Sequence, residues 1–163
     1  MRIWTDFVGT RIIPAFHRFL QFQPGQSSST IDNIRSEFLE TLRQFAEAME
    51  EEGPFFLGKE PFLVAFVMAP WAVRLWIFDR WKGELGISNH SKSGDEDAWY
   101  KWRRWMAAIQ YRKSIKETTS DKEHYTPIYK RSRTEPTIDH ANSADNTARS
   151  ELAKATREGK CVP

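Results

Sequence analysis

The sequence predicts an all-α fold, and three of its features carry that prediction. Apolar residues recur at intervals of three and four in three separate segments, which is the period of a helix that packs on one side. No segment shows the apolar/polar alternation that is typical of a half-buried strand. A turn rich in Gly, Pro and Phe, residues 53–58, leads directly into the most apolar stretch of the chain, residues 62–71. That order is typical of a buried central helix.

The length and composition of the chain suit a single domain with one core. Its 163 residues are enough to enclose such a core, and seven Trp and eleven Phe supply bulky side chains to fill it. Lys and Arg number 24 against 22 Asp and Glu, and a net charge of +2 is too small to predict a nucleic-acid partner. Cys161 is the only cysteine, so no intrachain disulfide can form, which favours a reducing, cytoplasmic location.

Two amphipathic helices are predicted in the first third of the chain. The first spans about residues 1–22, and Pro14 is expected to kink it or to join two pieces. After a polar loop, Thr30 can cap a second helix, which ends before Gly53. A short loop between two such helices favours an antiparallel pair. The apolar face of the second helix consists of Ile31, Ile34, Phe38, Leu42, Phe45 and Met49.

Residues 61–81 are apolar on nearly every side, and two interpretations of this stretch are open. A membrane-spanning helix needs about 20 apolar residues with few charges. Here Pro70, Arg74 and Asp79 interrupt or bound a shorter run. One buried core helix is therefore favoured over a membrane span.

Helical signals weaken towards the C-terminus. A polar loop at residues 83–94 precedes a helix whose face contains Trp99, Trp102, Trp105, Met106 and Ile109. A short helix is predicted around residues 123–130 and a last, weak one over about residues 145–157. The stretch between them, residues 132–143, is rich in Ser, Thr, Pro and Asn and predicts a loop.

The sequence contains few motifs that are typical of catalysis or of metal binding. The four histidines, His17, His90, His124 and His140, are scattered and lack the paired spacing of a metal site. There is no glycine-rich phosphate loop and no Gly-x-Ser-x-Gly elbow. The aromatics and cations of residues 99–105 suit either a single-stranded nucleic-acid platform or a core-facing helix with a basic outer face, and we favour the helix. We assign no catalytic, cofactor-binding or metal-binding residue.

A series of short segments carries a resemblance to a known family. In chain order they are residues 2–7, 11–16, 53–58, 69–71, 118–121, 125, 128–131, 144–148 and 153–156. Together they resemble the C-terminal helical domain of the glutathione transferases, in particular the fungal omega-like branch. The resemblance implies a helical bundle that, in the family, pairs with a thioredoxin-like domain and commonly dimerises.

The sequence departs from the family pattern in three ways. The thioredoxin-like domain, which carries the glutathione site and the catalytic cysteine or serine, is expected to be absent. The Ser-x-x-Asp capping box of the central helix is replaced by Phe62 and Ala65, and the loss of one N-cap typically costs about 1 kcal/mol. Residues 132–143 resemble an insertion. The expected organisation is therefore a transferase-type helical domain over residues 1–131, an inserted loop over 132–143, and a helix and tail of the same domain over 144–163.

The resemblance also implies a binding site. In this family the helical domain supplies one wall of the pocket for the electrophile. The corresponding candidates here are Trp4, Phe7, Val8 and Arg11 on the first helix and Trp71 and Arg74 on the central helix. The alternative is that these residues belong to the core, or to a surface that the thioredoxin-like domain covers. Without that cover, the first helix should expose an apolar patch that seeks a partner.

Two classes of function follow. The first is a glutathione S-transferase-like protein, truncated to its electrophile-binding domain, in detoxification or secondary metabolism; glutathione is implied by the family only, and no activity of the chain alone is expected. The second is a non-catalytic helical module that binds a hydrophobic ligand or pairs with a full-length transferase subunit or a second copy. A truncated gene product is a third alternative. Neither a nucleic acid nor a membrane is expected as a partner.

Overall fold

The computed structural model describes residues 2–22, 28–83, 85–87 and 95–134. In these ranges the regular structure is helical, and the only extended pairing is an isolated bridge between Phe55 and Gly58. The predicted all-α class is confirmed. The helices are α1 Arg2–Phe7, α2 Ile13–Gln21, α3 Ser28–Glu47, α4 Leu63–Ala72, α5 Trp76–Trp81, α6 Glu96–Tyr111, α7 Lys113–Thr118 and α8 Lys122–Thr134, and a π-helical segment, Val8–Ile12, joins α1 to α2.

The first predicted helix is continuous, but it contains one wide turn. In the π-helical segment the N–H of Ile13 donates to the carbonyl of Val8, five residues back, and Pro14 follows at the start of α2. Proline has no N–H, and its ring collides with the carbonyl four residues before it. A wider turn just before Pro14 accommodates both effects. The disturbance predicted at Pro14 is therefore a π-helical join. We refer to α1, the π-helical segment and α2 together as the first helix.

α3 lies between α2 and α6. Its predicted apolar face is confirmed, since Phe38, Leu42, Phe45 and Met49 are buried and Ile31 and Ile34 pack against the core at the edge of that face. The cap predicted at Thr30 is wrong, because α3 begins two residues earlier and Thr30 lies within its first turn.

Two cations of α6 hold the acidic segment that follows the C-terminus of α3. Lys101 Nζ donates to the carbonyl of Met49 at 2.8 Å, and the guanidinium of Arg104 donates to the carbonyls of Glu51 and Glu50 at 2.7 and 3.0 Å. Carbonyls at a helix C-terminus attract positive charge. These two cations therefore have a structural partner, which supports a core-facing helix with a basic outer face at residues 99–105.

The single helix predicted over residues 61–81 is wrong, because α4 and α5 are separated by a tight turn. In that turn the N–H of Arg74 donates to the carbonyl of Trp71 at 3.2 Å, three residues back instead of four. Pro70 lies inside α4 and cannot donate to the preceding turn, which weakens the end of this helix. None of the helices in the described ranges is long and apolar enough to cross a bilayer.

An aromatic cluster fills the core where α2, α3, α4 and α5 meet. The ring of Phe16 lies edge-on to Phe78 at 4.8 Å, to Trp71 at 5.2 Å and to Phe38 at 6.1 Å between centroids. Phe19 stacks on Phe78 at 4.6 Å. Edge-to-face and offset pairs at such distances each contribute about 0.5–1.5 kcal/mol beyond burial. Phe16 thus joins four helices.

The apolar patch expected on the first helix is wrong for most of its length. Its buried residues are Val8, Ile12, Ala15, Phe16, Phe19 and Leu20. α8 also lies against α2, so helices of the chain itself cover much of the face for which an outside partner was expected. Ile3 is the exception, with 77% of its surface exposed.

The C-terminal part of the described chain differs from the prediction in two respects. α7 was not predicted, because it is only six residues long and Ile115 alone packs against the core. α8, predicted around residues 123–130, continues to Thr134, which is inside the loop predicted at 132–143. The rest of that loop, the helix predicted at 145–157, His140 and Cys161 lie outside the described residues, and so does His90.

The start of α4 has the register of a capping box but not its side chains. Phe62 is the N-cap residue, with extended backbone at φ −108° and ψ 174°, and the N–H of Ala65 donates to the carbonyl of Phe62 at 2.9 Å. Neither side chain can make the reciprocal hydrogen bonds of a capping box. Phe62 and Ala65, which the sequence predicts in place of the capping-box Ser and Asp, thus lie at the N-terminus of α4.

This geometry predicts the effect of restoring the cap. Phe62→Ala and Phe62→Ser both remove the phenyl ring, but only Ser offers a side-chain oxygen to the N–H groups of Val64 and Ala65 in the first turn of α4. We expect the Ser variant to exceed the Ala variant in free energy of unfolding by about 0.5–2 kcal/mol, measured by urea denaturation. Equal stability of the two variants would show that this N-terminus needs no cap.

Candidate functional site

The six candidate residues lie on two elements that run side by side. The first helix and α4 begin at the same end, where Asp6 lies near Phe62, and further along Phe16 touches Trp71. We call this line of contact the seam. Trp4, Phe7, Val8 and Arg11 lie on its first-helix side, whereas Trp71 and Arg74 lie at or just after the end of α4.

The four candidates of the first helix differ in exposure. Trp4 and Phe7 are half-buried, with their rings 5.1 Å apart, and Trp4 also packs against Phe56 at 5.4 Å. Val8 is completely buried, so it supports the seam from inside. Arg11 is exposed and makes no hydrogen bond or ion pair with another described residue. It belongs to the π-helical segment, a feature often found at functional sites.

Trp71 marks the far end of the seam, one residue before the end of α4. It is half-buried and lies edge-on to Phe16 at 5.2 Å and to His17 at 5.3 Å. Burial lowers the pKa of His17, which favours the neutral imidazole. Trp71 therefore lies against two aromatic rings of α2.

Arg74 contacts α8 instead of the seam. Its guanidinium carbon lies 4.7 Å from the centroid of the Tyr125 ring, and Nη2 donates to the Tyr125 hydroxyl at 3.3 Å. This hydrogen bond lowers the pKa of Tyr125, whereas burial raises the pKa of Tyr129 one turn later. Arg74 thus fixes the phenol of Tyr125, and the structure does not bring all six candidates into one contact cluster.

An apolar cleft opens at the start of the seam. We call it the N-terminal cleft; its cavity has a volume of about 290 Å³. Arg2, Thr5, Asp6, Phe62 and Leu63 line it. Phe62 and Leu63 are 45% and 66% exposed, which leaves two large apolar side chains available to a ligand. Trp4 and Phe7 are chain neighbours of its first-helix wall.

A second cleft was not predicted from the sequence. We call it the C-terminal cleft; it lies between the α4–α5 turn, α6, α7 and α8, and it consists of two adjoining cavities of about 290 and 270 Å³. Trp76, Val73, Gln110 and Lys122 line both cavities. It was missed because α7 was missed, although the resemblance at residues 118–121 and 125 did mark this region. None of the six candidates lines these cavities or the N-terminal cleft.

Within the part of the chain that the structure describes, no three His, Cys, Asp or Glu side chains come close enough together to hold a metal ion.

The comparisons with known proteins agree with this architecture. The family model "Glutathione S-transferase, C-terminal domain" matches residues 29–108. The structure is also similar to the crystal structure of glutathione transferase Omega 3C from Trametes versicolor, with a TM-score of 0.61 and 30% sequence identity over 80% of this chain and 50% of that chain. The chain therefore spans about half the length of that protein. No curated protein matches it significantly.

Proposed function

The chain carries a glutathione S-transferase C-terminal domain similar to that of a fungal omega-class enzyme, and on this premise we propose that it is a transferase-like protein whose helical domain binds a hydrophobic electrophile in the N-terminal cleft. Detoxification and secondary metabolism are the settings in which such binding is useful. Glutathione is the co-substrate that the family implies.

The observation that carries this proposal is the side chain of Phe62. A hydroxyl or carboxylate at this N-cap would stabilise α4 by about 1 kcal/mol, yet the position holds a phenyl ring that is 45% exposed and lines an apolar cleft. Local rules of stability are broken most often where function compensates for the loss. The ring therefore has a better explanation as a contact for a ligand than as part of the fold.

The size and chemistry of the cleft suit a small aromatic electrophile. A volume of about 290 Å³ is at the lower end of ligand pockets and has room for one substituted ring. Phe62 and Leu63 supply apolar contact, and the charges of Arg2 and Asp6 can orient a polarised substituent.

We assign to the helical domain the binding of the electrophile and not the activation of the thiol. In the family reaction, the thiolate of glutathione adds to an electrophilic carbon. The residues that the structure describes contain no sheet of the thioredoxin-like type. The second candidate function, a non-catalytic module that pairs with a full-length transferase subunit, is favoured by the exposed Ile3 and Leu63 at the same end of the bundle.

Binding of dinitrotoluene, an unreactive aromatic analogue, tests the assignment through quenching of tryptophan fluorescence. We expect Phe62→Ser to weaken binding about three- to tenfold, since burial of part of a ring contributes about 1 kcal/mol. Phe66→Ser is the matched control, because Phe66 is a similarly exposed ring on α4 that does not line the cleft. No binding, or equal losses in both variants, would contradict the proposal.

A further inference from the structure

We propose that the half-buried guanidinium of Arg112 binds an acidic side chain of a partner protein, on a surface separate from both clefts. Three observations lead to this partner. The guanidinium has no oxygen acceptor among the described residues, it is held between two phenyl rings, and exposed apolar side chains lie beside it.

Arg112 is the exception among the half-buried arginines of the described ranges. Four of these five arginines donate from the guanidinium to an oxygen of the protein, and they are Arg35, Arg43, Arg74 and Arg104. The guanidinium of Arg112 makes neither a hydrogen bond nor an ion pair with any residue that the structure describes. A charge that is withdrawn from water lowers stability unless it is paired, so proteins normally supply the partner. The acceptor of Arg112 is therefore expected from a second molecule.

Two phenyl rings fix the direction in which Arg112 can bind. Its guanidinium carbon lies 5.8 Å from the centroid of the Phe55 ring and 5.7 Å from that of Phe66. Nε is buried without a partner, whereas the two terminal Nη groups remain accessible. A guanidinium that presents both Nη groups can form two parallel N–H···O bonds with one carboxylate. The geometry therefore suits end-on contact with a carboxylate.

The backbone of Arg112 holds this arrangement in place without a partner. Arg112 joins α6 to α7 with φ −66° and ψ 132°, and its N–H donates to the carbonyl of Ile109 at 3.2 Å. Its own carbonyl accepts the N–H groups of Ile115 and Lys116 at 3.1 and 3.0 Å. Binding to a group that is already fixed loses less conformational entropy than binding to a mobile one. Arg112 is thus preorganised for a partner.

Exposed apolar side chains next to Arg112 indicate what the carboxylate is attached to. Phe66 is 38% exposed, and so is Leu57, two residues after Phe55 in the same turn, whereas Tyr111 is 79% exposed. An arginine among aromatic side chains is the composition that most often dominates binding at protein interfaces. A free phosphate gains nothing from apolar surroundings, but an acidic residue with apolar neighbours does. The partner is therefore a protein segment with Asp or Glu between apolar residues.

The carboxylates near Arg112 do not neutralise it. Glu117 is the closest one along the chain, and its Oε1 lies 3.7 Å from the Nζ of Lys113. Glu52 and Glu60 flank the turn that contains Phe55, and neither forms an ion pair with Arg112. The described part of the chain therefore leaves this guanidinium to a carboxylate from outside.

A matched pair of peptides tests the partner. Acetyl-Leu-Glu-Phe-amide and acetyl-Leu-Gln-Phe-amide differ in one charge only, and each is titrated into the isotope-labelled full chain and followed by nuclear magnetic resonance. We expect the acidic peptide to shift the Nε–H signal of Arg112 and the backbone N–H signals of Tyr111 and Lys113. It should bind about three- to tenfold more tightly than the neutral peptide. Added salt should remove most of this difference.

The variant Arg112→Gln should abolish the preference, so that the two peptides bind within about twofold of each other. Arg103→Gln is the control, because Arg103 is an exposed arginine of α6 that contacts neither Phe55 nor Phe66. We expect this control to keep the preference for the acidic peptide. Urea denaturation of both variants separates a loss of binding from a loss of folding.

Equal affinities of the two peptides for the unaltered chain, no binding of either, or equal losses in the two arginine variants would overturn the proposal. Tighter binding of inorganic phosphate than of the acidic peptide would also contradict it. So would a shift of the Arg112 signal when the protein alone is diluted, since the occupant would then be a second copy. Dinitrotoluene binding should be unchanged in Arg112→Gln, so this proposal and the proposed function can fail separately.

Discussion

Replacement of Phe16 by alanine is expected to destabilise the protein by about 3–5 kcal/mol, which is the usual cost of removing a buried phenyl ring. Phe16 is completely buried, and its ring contacts Phe38, Trp71 and Phe78, which lie on three different helices. Domains of this size are stable by only about 5–15 kcal/mol. The variant should therefore lose a large part of its free energy of unfolding, measured by urea denaturation with far-ultraviolet circular dichroism.

The control for this prediction is Tyr111→Ala. Tyr111 is an aromatic residue with 79% of its surface exposed, and Lys116 Nζ lies 5.0 Å from the centroid of its ring. We expect a change within about 0.5 kcal/mol, as for most surface positions. If the two variants lost similar stability, Phe16 would not be the junction of the four helices.

Periodicity was enough to predict which side chains form the core. The faces of α3 and α6 were read correctly because burial on one side of a helix leaves a pattern at intervals of three and four. Phe38 and Trp102 are examples, with 0% and 2% of their surface exposed. The central position of α4 followed from its lack of polar residues on any side.

Two breaks in helical structure were not predictable in the same way. Pro70 predicts a disturbance, but α4 continues past it and ends two residues later. The position of this end depends on hydrogen bonds in the turn around Arg74, in which each N–H donates to the carbonyl three residues before it. α7 contributes Ile115 alone to the core, so it leaves no periodic pattern. The end of α4 and the formation of α7 depend on tertiary contacts, which cannot be read from the local sequence.

The candidate site was predicted in part. The resemblance pointed to the first helix and α4, and these two elements do form a seam. Which of their side chains line a cleft depends on the rotation of each helix about its own axis, and the sequence does not specify that rotation. Val8 turned out to be completely buried and Arg74 to contact α8. The side chain with the clearest functional argument, Phe62, appeared in the sequence only as a missing cap.

Gly53→Ala, in the turn that precedes α4, is expected to cause the second large loss of stability. Gly53 has φ +101°, and a Cβ added there would lie 2.3 Å from the carbonyl carbon of Gly58 and 2.8 Å from the nitrogen of Lys59. A positive φ costs a residue with a side chain about 1–3 kcal/mol, and because both neighbours are backbone atoms, the turn must also open. Opening breaks the pair of hydrogen bonds between Phe55 and Gly58, at 2.9 and 3.2 Å, which hold the turn together.

The variant Gly86→Ala separates the two contributions to the loss of stability in Gly53→Ala, which are the strain of a positive φ and the collision of the added Cβ with the backbone. Gly86 has φ +88°, but an added Cβ would meet nothing within 4 Å, so its variant carries only the backbone term of about 1–3 kcal/mol. Gly53→Ala should be less stable than Gly86→Ala by a further amount of about 1–3 kcal/mol, the usual cost of overpacking, measured by the same urea denaturation. It should also loosen Phe56, whose ring packs at 5.2 Å from Phe45 and 5.4 Å from Trp4. Equal losses of stability in the two variants would mean that the turn at Gly53 opens without a cost in free energy. The close approach of its backbone to Gly58 would then not be what positions the start of α4.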